Sequence, residues 1–330
     1  MNALGSVFLR REAGIAVMIV LFCLAVGMIR PRFLTLDELR IILLLTPLIL
    51  IGAMGQMLVI LSRHVDLSIG STQGFAAMAT AMMFKFHPEI PWYLGFGVAI
   101  GVGIGLGFVN GALITLFRLP AIIVTLGTLN LYRGLTFIIS DAKQIDRQFV
   151  PAALKGMSTT SPIFDIPWII FMALGTALMT HWFANHSRIG RQVFALGSNP
   201  AAAPLRGIRV NAVTLMVFMI SGALAGLSGI MYASRWGFVN PSNTGFGFEF
   251  QVIAAVVIGG VSINGGVGSV LGVTLGVLLL GCVSAALPLL GIPGAAQNAI
   301  YGAVILIALL IDRSVRQRGI AALALRRVAA

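Results

Sequence analysis

Two side chains carry charge where the chain makes charge costly. Arg133 lies in Leu131-Tyr132-Arg133-Gly134, inside a long apolar run, and Asp66 lies in Val65-Asp66-Leu67-Ser68-Ile69-Gly70, just before another. A cation at membrane depth must snorkel to an interface or meet carbonyls, water or an acid, so Arg133 either anchors structure or lines a polar translocation path. An aspartate beside a helix start can accept hydrogen bonds from free backbone amides and is favoured by the local dipole. Capping is therefore the expected role of Asp66, ahead of substrate or proton handling. The rest of the reactive inventory is thin. His64, His87, His181 and His186 lack metal-site spacing, and Cys23 and Cys282 sit in apolar segments with no partner at short spacing, where they read as packing residues. There is no Gly-Lys-Ser/Thr phosphate loop and no His-Glu-x-x-His. The chain is not read as an enzyme, and no catalytic residue, metal site or directly bound cofactor is expected.

Composition explains why charge is so exposed to scrutiny here. Of 330 residues, 58% are apolar and 10% charged, well below the roughly 25% charged of soluble domains. The bulk of the chain is read as membrane. The net charge of +12 does not point to nucleic acid, because the basic residues interrupt apolar spans and flank the C-terminus instead of building an aromatic-studded surface. Arg10 and Arg11 precede the run 13–29, and Pro31, Arg32 and Phe33 follow it where a cleavage site would need small residues, so this segment is read as a retained first span.

About ten spans are expected, at 13–29, 41–61, 67–84, 92–117, 120–139, 163–184, 212–234, 250–262, 268–290 and 298–312. The eighth is too short to cross alone as an ideal helix, and Gly259 and Gly260 mark it as either a crossing or a broken, re-entrant element. The fold class is all-α, a polytopic helix bundle forming one domain over 1–330. With Met1 in the cytoplasm, Arg10, Arg11, Arg63, Arg118, Arg188, Arg191, Arg206, Arg209 and the C-terminal Arg313, Arg316, Arg318, Arg326 and Arg327 all fall inside. Most acids fall outside, so the positive-inside bias puts both termini in the cytoplasm. Glycines four apart, at 103, 107 and 111, at 222 and 226, and at 268, 272 and 276, lie on single helix faces and let backbones touch, with a conduction path along thin helices as the alternative reading.

Two connections are long enough to do more than turn. Ser140–Pro162 is assigned outside. Residues 185–211 are assigned inside and contain Gly190-Arg191-Gln192-Val193-Phe194-Ala195-Leu196-Gly197, followed by Pro200-Ala201-Ala202-Ala203, where a short helix outside the bilayer is expected. The loop is either a solvated connection or a docking element whose arginines hold an acidic partner while Val193, Phe194, Leu205 and Ile208 fill an apolar groove.

From about Phe33 to Asp312 the chain resembles the membrane permeases of bacterial ATP-binding-cassette importers, in the group serving ribose, xylose, arabinose, rhamnose and autoinducer-2. Three pieces carry the resemblance: Val65–Gly70, Leu119-Pro120-Ala121-Ile122-Ile123-Val124-Thr125-Leu126-Gly127-Thr128-Leu129, and Gly259-Gly260-Val261-Ser262-Ile263-Asn264-Gly265-Gly266-Val267-Gly268-Ser269. Leu129–Gly134 looks closest to the rhamnose and autoinducer-2 permeases. The resemblance implies a multi-pass protein of the bacterial inner membrane that forms the path for a monosaccharide or related small polyol, with ATP used by a partner subunit. It implies a second permease chain, identical or related, two cytoplasmic ATPase modules and an extracytoplasmic solute-binding protein. It makes 185–211 a coupling loop, with Arg191, Ala195, Gly197, Asn199 and Ala202 as candidate ATPase-docking residues and Arg133 as a candidate path residue. Pro204 and Arg206 depart from the usual small or polar choices there. It also implies an inverted repeat pairing spans two to five with seven to ten. The competing class is an ion-coupled secondary transporter of a small polar solute, against which the sparse membrane acids and the coupling-type loop both speak.

Overall fold

The computed structural model describes residues 2–160, 166–294, 296–303 and 305–306, with side chains from residue 12 onward. In chain order the helices are α1 (Asn2–Ile29), α2 (Leu36–Leu61), α3 (Ile69–Phe86), α4 (Leu94–Leu116), α5 (Ala121–Ser140), α6 (Ala152–Thr159), α7 (Trp168–His186), α8 (Arg188–Ser198), α9 (Val210–Trp236), α10 (Phe248–Ile258) and α11 (Val270–Leu289), followed by helical residues at 296–303. The bundle is all-α. Among the described residues six helices are long and apolar enough to cross a membrane: α1 from Glu12, α2, α4, α5, α9 and α11. The end of the tenth expected span, the end of the 140–162 connection and the C-terminal arginines lie outside the described residues.

Helix limits follow the apolar runs with two informative exceptions. α2 starts at Leu36 rather than 41, because Asp37 and Glu38 in its first turn complement the helix dipole and extend it outward. α7 starts at Trp168 rather than 163, since Pro167 disfavours helical geometry in the residue before it. α9 stops where Gly237 takes the left-handed conformation, φ 73°, that a side chain would resist.

α2 runs through the core: 78% of its most apolar stretch is buried, against 17% for α1, which rests on the flank against α11. α3 is of membrane length, 18 residues, yet carries Ser71, Thr72, Gln73 and Thr80, all buried. It is wrapped by α4, α5 and α9, so protein rather than lipid receives its polar groups. The glycine stripes pack backbone to backbone, as their spacing implies. A side chain at Gly103 or Gly107 of α4 would strike the carbonyls of Gly222 or Phe218 of α9, and one at Gly226 would strike Ala99. Gly272 and Gly276 press α11 onto Gly259 and Ala255 at the end of α10. Cys23 and Cys282, distant in sequence, meet between α1 and α11 with their Sγ atoms 3.9 Å apart.

α10 covers most of the expected eighth span. At 11 residues it is about 16 Å long, roughly half the hydrocarbon thickness, and it ends at Gly259 and the left-handed Gly260. It is a half-helix enclosed by α2, α3 and α11, where its loose backbone ends can find protein partners.

Candidate transport and coupling site

Asp66 sits at the centre of a buried polar knot. Its Oδ1 accepts from the Ser68 backbone N–H at 2.9 Å and from Ser68 Oγ at 2.6 Å, and its Oδ2 accepts from Ser221 of α9 at 3.4 Å. The first bond closes an Asx turn that holds the chain in place to begin α3. Asp66 thus supports the turn before the helix rather than capping its first amides, a small shift from the sequence expectation. Asn110 of α4 donates to Ser68 Oγ at 2.7 Å, and Tyr132 of α5 donates to Asn110 Oδ1 at 3.1 Å and to the Leu106 carbonyl at 3.0 Å. The Gln56 amide of α2 brackets the Asp66 backbone, donating to its carbonyl and accepting from its N–H at 3.2 Å each. Five helices are therefore pinned at one point, and each bond replaces one that lipid cannot supply.

Arg133 meets carbonyls, one of the outcomes its position demands. Its Nη1 donates to the Thr244 carbonyl at 3.0 Å and its Nη2 to that of Gly245 at 3.1 Å, while its guanidinium lies 5.6 Å from the Phe246 ring centroid. The planar fork thereby clamps the 237–247 loop, which turns inward to start α10. At that start Glu249, 6% exposed, leaves Oε2 without a partner. The same oxygen faces Gly70 in the first turn of α3, and a side chain at Gly70 would overlap it and the Gly245 carbonyl. Two helix starts thus face each other deep in the bundle, and acids favour helix starts. The 237–247 loop went unread in the sequence, although Pro241-Ser242-Asn243-Thr244-Gly245 is a turn-rich interruption between apolar runs.

The outer face of this loop is tied to the 140–162 connection. Ile145 and Val239 form an antiparallel bridge, donating to each other's carbonyls at 2.9 and 3.0 Å, and Asn240 donates to Gln144 at 3.1 Å. Nearby Lys143 and Asp141 pair at 2.5 Å in the open, where the hydrogen bond from Lys143 holds the Asp141 carboxyl below its ordinary range.

At the opposite end of the bundle lies α8, whose N-cap Ser187 accepts from the Gly190 N–H at 2.8 Å. The expected helix over 200–203 is displaced: the helix precedes Pro200, and 199–203 makes a single turn in which Asn199 Oδ1 accepts from the Ala202 N–H at 3.1 Å. The five docking candidates divide. Arg191 and Asn199 are exposed, Ala195 and Ala202 are half-buried, and Gly197 is buried. A side chain on Gly197 would strike the Leu61 carbonyl and the Gly266 amide, which are bonded to each other at 2.9 Å. Val193, expected to reach outward, is buried in the core. The exposed apolar tip is instead Leu205, 88% exposed, beside the exposed Arg206.

A cavity of about 680 Å³ opens among α2, α9, the 237–247 loop, α10 and α11. Trp236, Phe246 and Phe248 supply aromatic walls and Gln73, Asn243 and Gln251 supply amides. Among the described residues no group of three or more His, Cys, Asp or Glu could hold a metal ion.

Comparison with known proteins gives three findings. Residues 39–309 match the family described as branched-chain amino acid transport system / permease component. The chain is 35% identical over 313 residues, 93% of its own length and 86% of the relative's, to the autoinducer 2 import system permease protein LsrC of Yersinia pseudotuberculosis, and equally to that of Yersinia pestis. A solved inward-facing conformation of a metal-chelate type ABC transporter covers 92% of this chain and 99% of the other at a TM-score of 0.52 and 16% identity, a likeness of fold.

Proposed function

Because this chain belongs to the branched-chain amino acid transport system / permease component family, we propose that it forms the membrane path of an ATP-driven importer for a monosaccharide-like solute, most closely autoinducer-2 or rhamnose. It is a non-catalytic, multi-pass subunit of the bacterial inner membrane, and the relatives named for autoinducer-2 import support this solute class. The observation that carries the coupling half of the reading is the seam at Gly197. It seats the 185–211 segment directly on the end of α2 and on the Gly265–Gly266 turn between α10 and α11. A push on Asn199–Arg206 from a cytoplasmic ATPase would reach both helices without an intervening joint.

Arg191, Ala195, Asn199 and Ala202 belong to that docking segment, Gly197 supports it from behind, and Leu205 and Arg206 form its tip. A second permease chain, identical or related, would cover the face of α5 on which Ile122, Leu126, Asn130, Gly134 and Ile138 are exposed. Arg133, half-buried at the edge of that face, would then border the path. Helix neighbours support the inverted repeat. α4 packs on α9 as α11 packs on α2, and α3 lies against α4 and α9 as α10 lies against α11 and α2. A solute-binding protein would meet the bridged loops around Ile145 and Val239. Asp66, the acid an ion-coupled transporter would use, is committed to Ser68 and Ser221.

Reconstitution tests the division of labour. Vesicles holding this chain with its partner permease, ATPase and binding protein should accumulate labelled rhamnose or autoinducer-2 on ATP addition, and vesicles holding this chain alone should not. ATP-driven accumulation by the chain alone would overturn the proposal.

A further inference from the structure

The 680 Å³ cavity falls within the range of volumes that enclose small solutes. Its wall is not what a lipid tail would select. Arg235 lines it with a buried Nε–H that has no hydrogen-bond partner, and the same guanidinium lies 5.6 Å from the Trp236 ring centroid. Gln73 is held in register by donating to Ser228 Oγ at 2.7 Å, which in turn donates to the Leu48 carbonyl at 3.0 Å. So braced and buried, Gln73 backs the wall of the cavity. Gln251 and Asn243 add further amides on the loop and half-helix that Arg133 clamps. An acyl chain would leave these donors and acceptors unpaired, and burying unpaired polar groups is costly.

We propose that this cavity within the single chain is a binding site for a neutral polyhydroxylated solute, with Gln251 and Asn243 bonding its hydroxyls and Trp236 covering its C–H face. Amides offer a donor and an acceptor together, matching a hydroxyl that does both. Glu38 in the same wall offsets one of the two cations Arg32 and Arg235, and the rest of the lining is uncharged. The site rests on the importer reading and adds to it a recognition step inside each permease chain.

The test uses the complete importer in cells, with uptake of labelled L-rhamnose and autoinducer-2 measured against concentration and normalised to permease in the membrane. Gln251→Ala and Trp236→Leu should each raise the half-saturating concentration by about fivefold to tenfold, the effect of losing one good contact, with ATPase co-purification unchanged. Asn243→Ala, at an exposed loop position, is the variant that retains the fold if the others do not. It should raise the same concentration in the same direction. Wild-type uptake with all three variants unchanged would overturn the cavity assignment and leave the importer reading standing. A wild-type complex that transports neither solute would overturn both. Retention of phospholipid in the cavity of the purified complex, with solute unable to displace it, would also overturn the assignment.

Discussion

Arg133 illustrates how one residue type at one depth limits its own explanations. Its cost in an apolar run demanded carbonyls, water or an acid, and the fold supplies two carbonyls spaced for a guanidinium fork. A lysine keeps the charge but offers a single point donor, and a leucine leaves both carbonyls unpaired. Arg133→Leu should therefore lower uptake at least about tenfold, since hydrogen bonds to charged groups are worth roughly 1.5–3 kcal/mol each, and Arg133→Lys should retain an intermediate rate. Both are measured beside membrane abundance and detergent stability. Near-normal uptake by Arg133→Leu would remove the clamp from the transport cycle.

At the scale of elements, the 185–211 segment, proposed as the coupling loop, separates a hidden support from an exposed tip. Gly197 has backbone on the side where its Cβ would point, so Gly197→Trp should cost folding itself, about 1–3 kcal/mol or more for an overpacked site, and lower the yield of monodisperse protein. Leu205→Asp and Arg206→Glu alter only exposed side chains and should leave that yield unchanged while reducing ATPase co-purification and solute uptake together. A stable Gly197→Trp protein would contradict the close seam with Leu61 and Gly266. Full ATPase association by Leu205→Asp would move the docking tip elsewhere in 185–211.

The whole molecule has two chemically different ends. Arg63, which donates to the Asn264 carbonyl at 2.5 Å, shares one end with Arg188 and Arg191 of α8 and with Arg206 in the turn beyond it. The bridged loops, where Asp141 and Asp146 are mixed with Lys143, Arg147 and Lys155, form the other. The positive-inside bias then puts α8 in the cytoplasm. Cysteines introduced beside Arg191 should be protected from an impermeant thiol reagent in intact cells, while one introduced beside Lys143 should react, in a chain whose Cys23 and Cys282 are replaced by serine. Strong labelling at Arg191 with none at Lys143 would invert the protein in the membrane.

What the sequence determined alone follows from local chemistry and composition. An apolar run of membrane length must be a helix, because only a helix satisfies its own backbone without water. Glycines four apart must share a face, so the α4–α9 and α10–α11 seams were legible from spacing, though not which helices would pair. The expense of charge in lipid likewise marked Arg133 and Asp66 for attention. Tertiary structure alone decided the partners. Ser221 lies 155 residues from Asp66, Thr244 lies 111 from Arg133 and Cys282 lies 259 from Cys23, and no local propensity encodes contacts at such separations. It also decided that Gly197 and Val193 turn inward, because an amphipathic segment such as 188–198 has the same pattern whether its apolar face meets a partner or its own bundle. The cavity is the clearest case: it is built from residues of α2, α3, α9, α10 and α11 that share no motif.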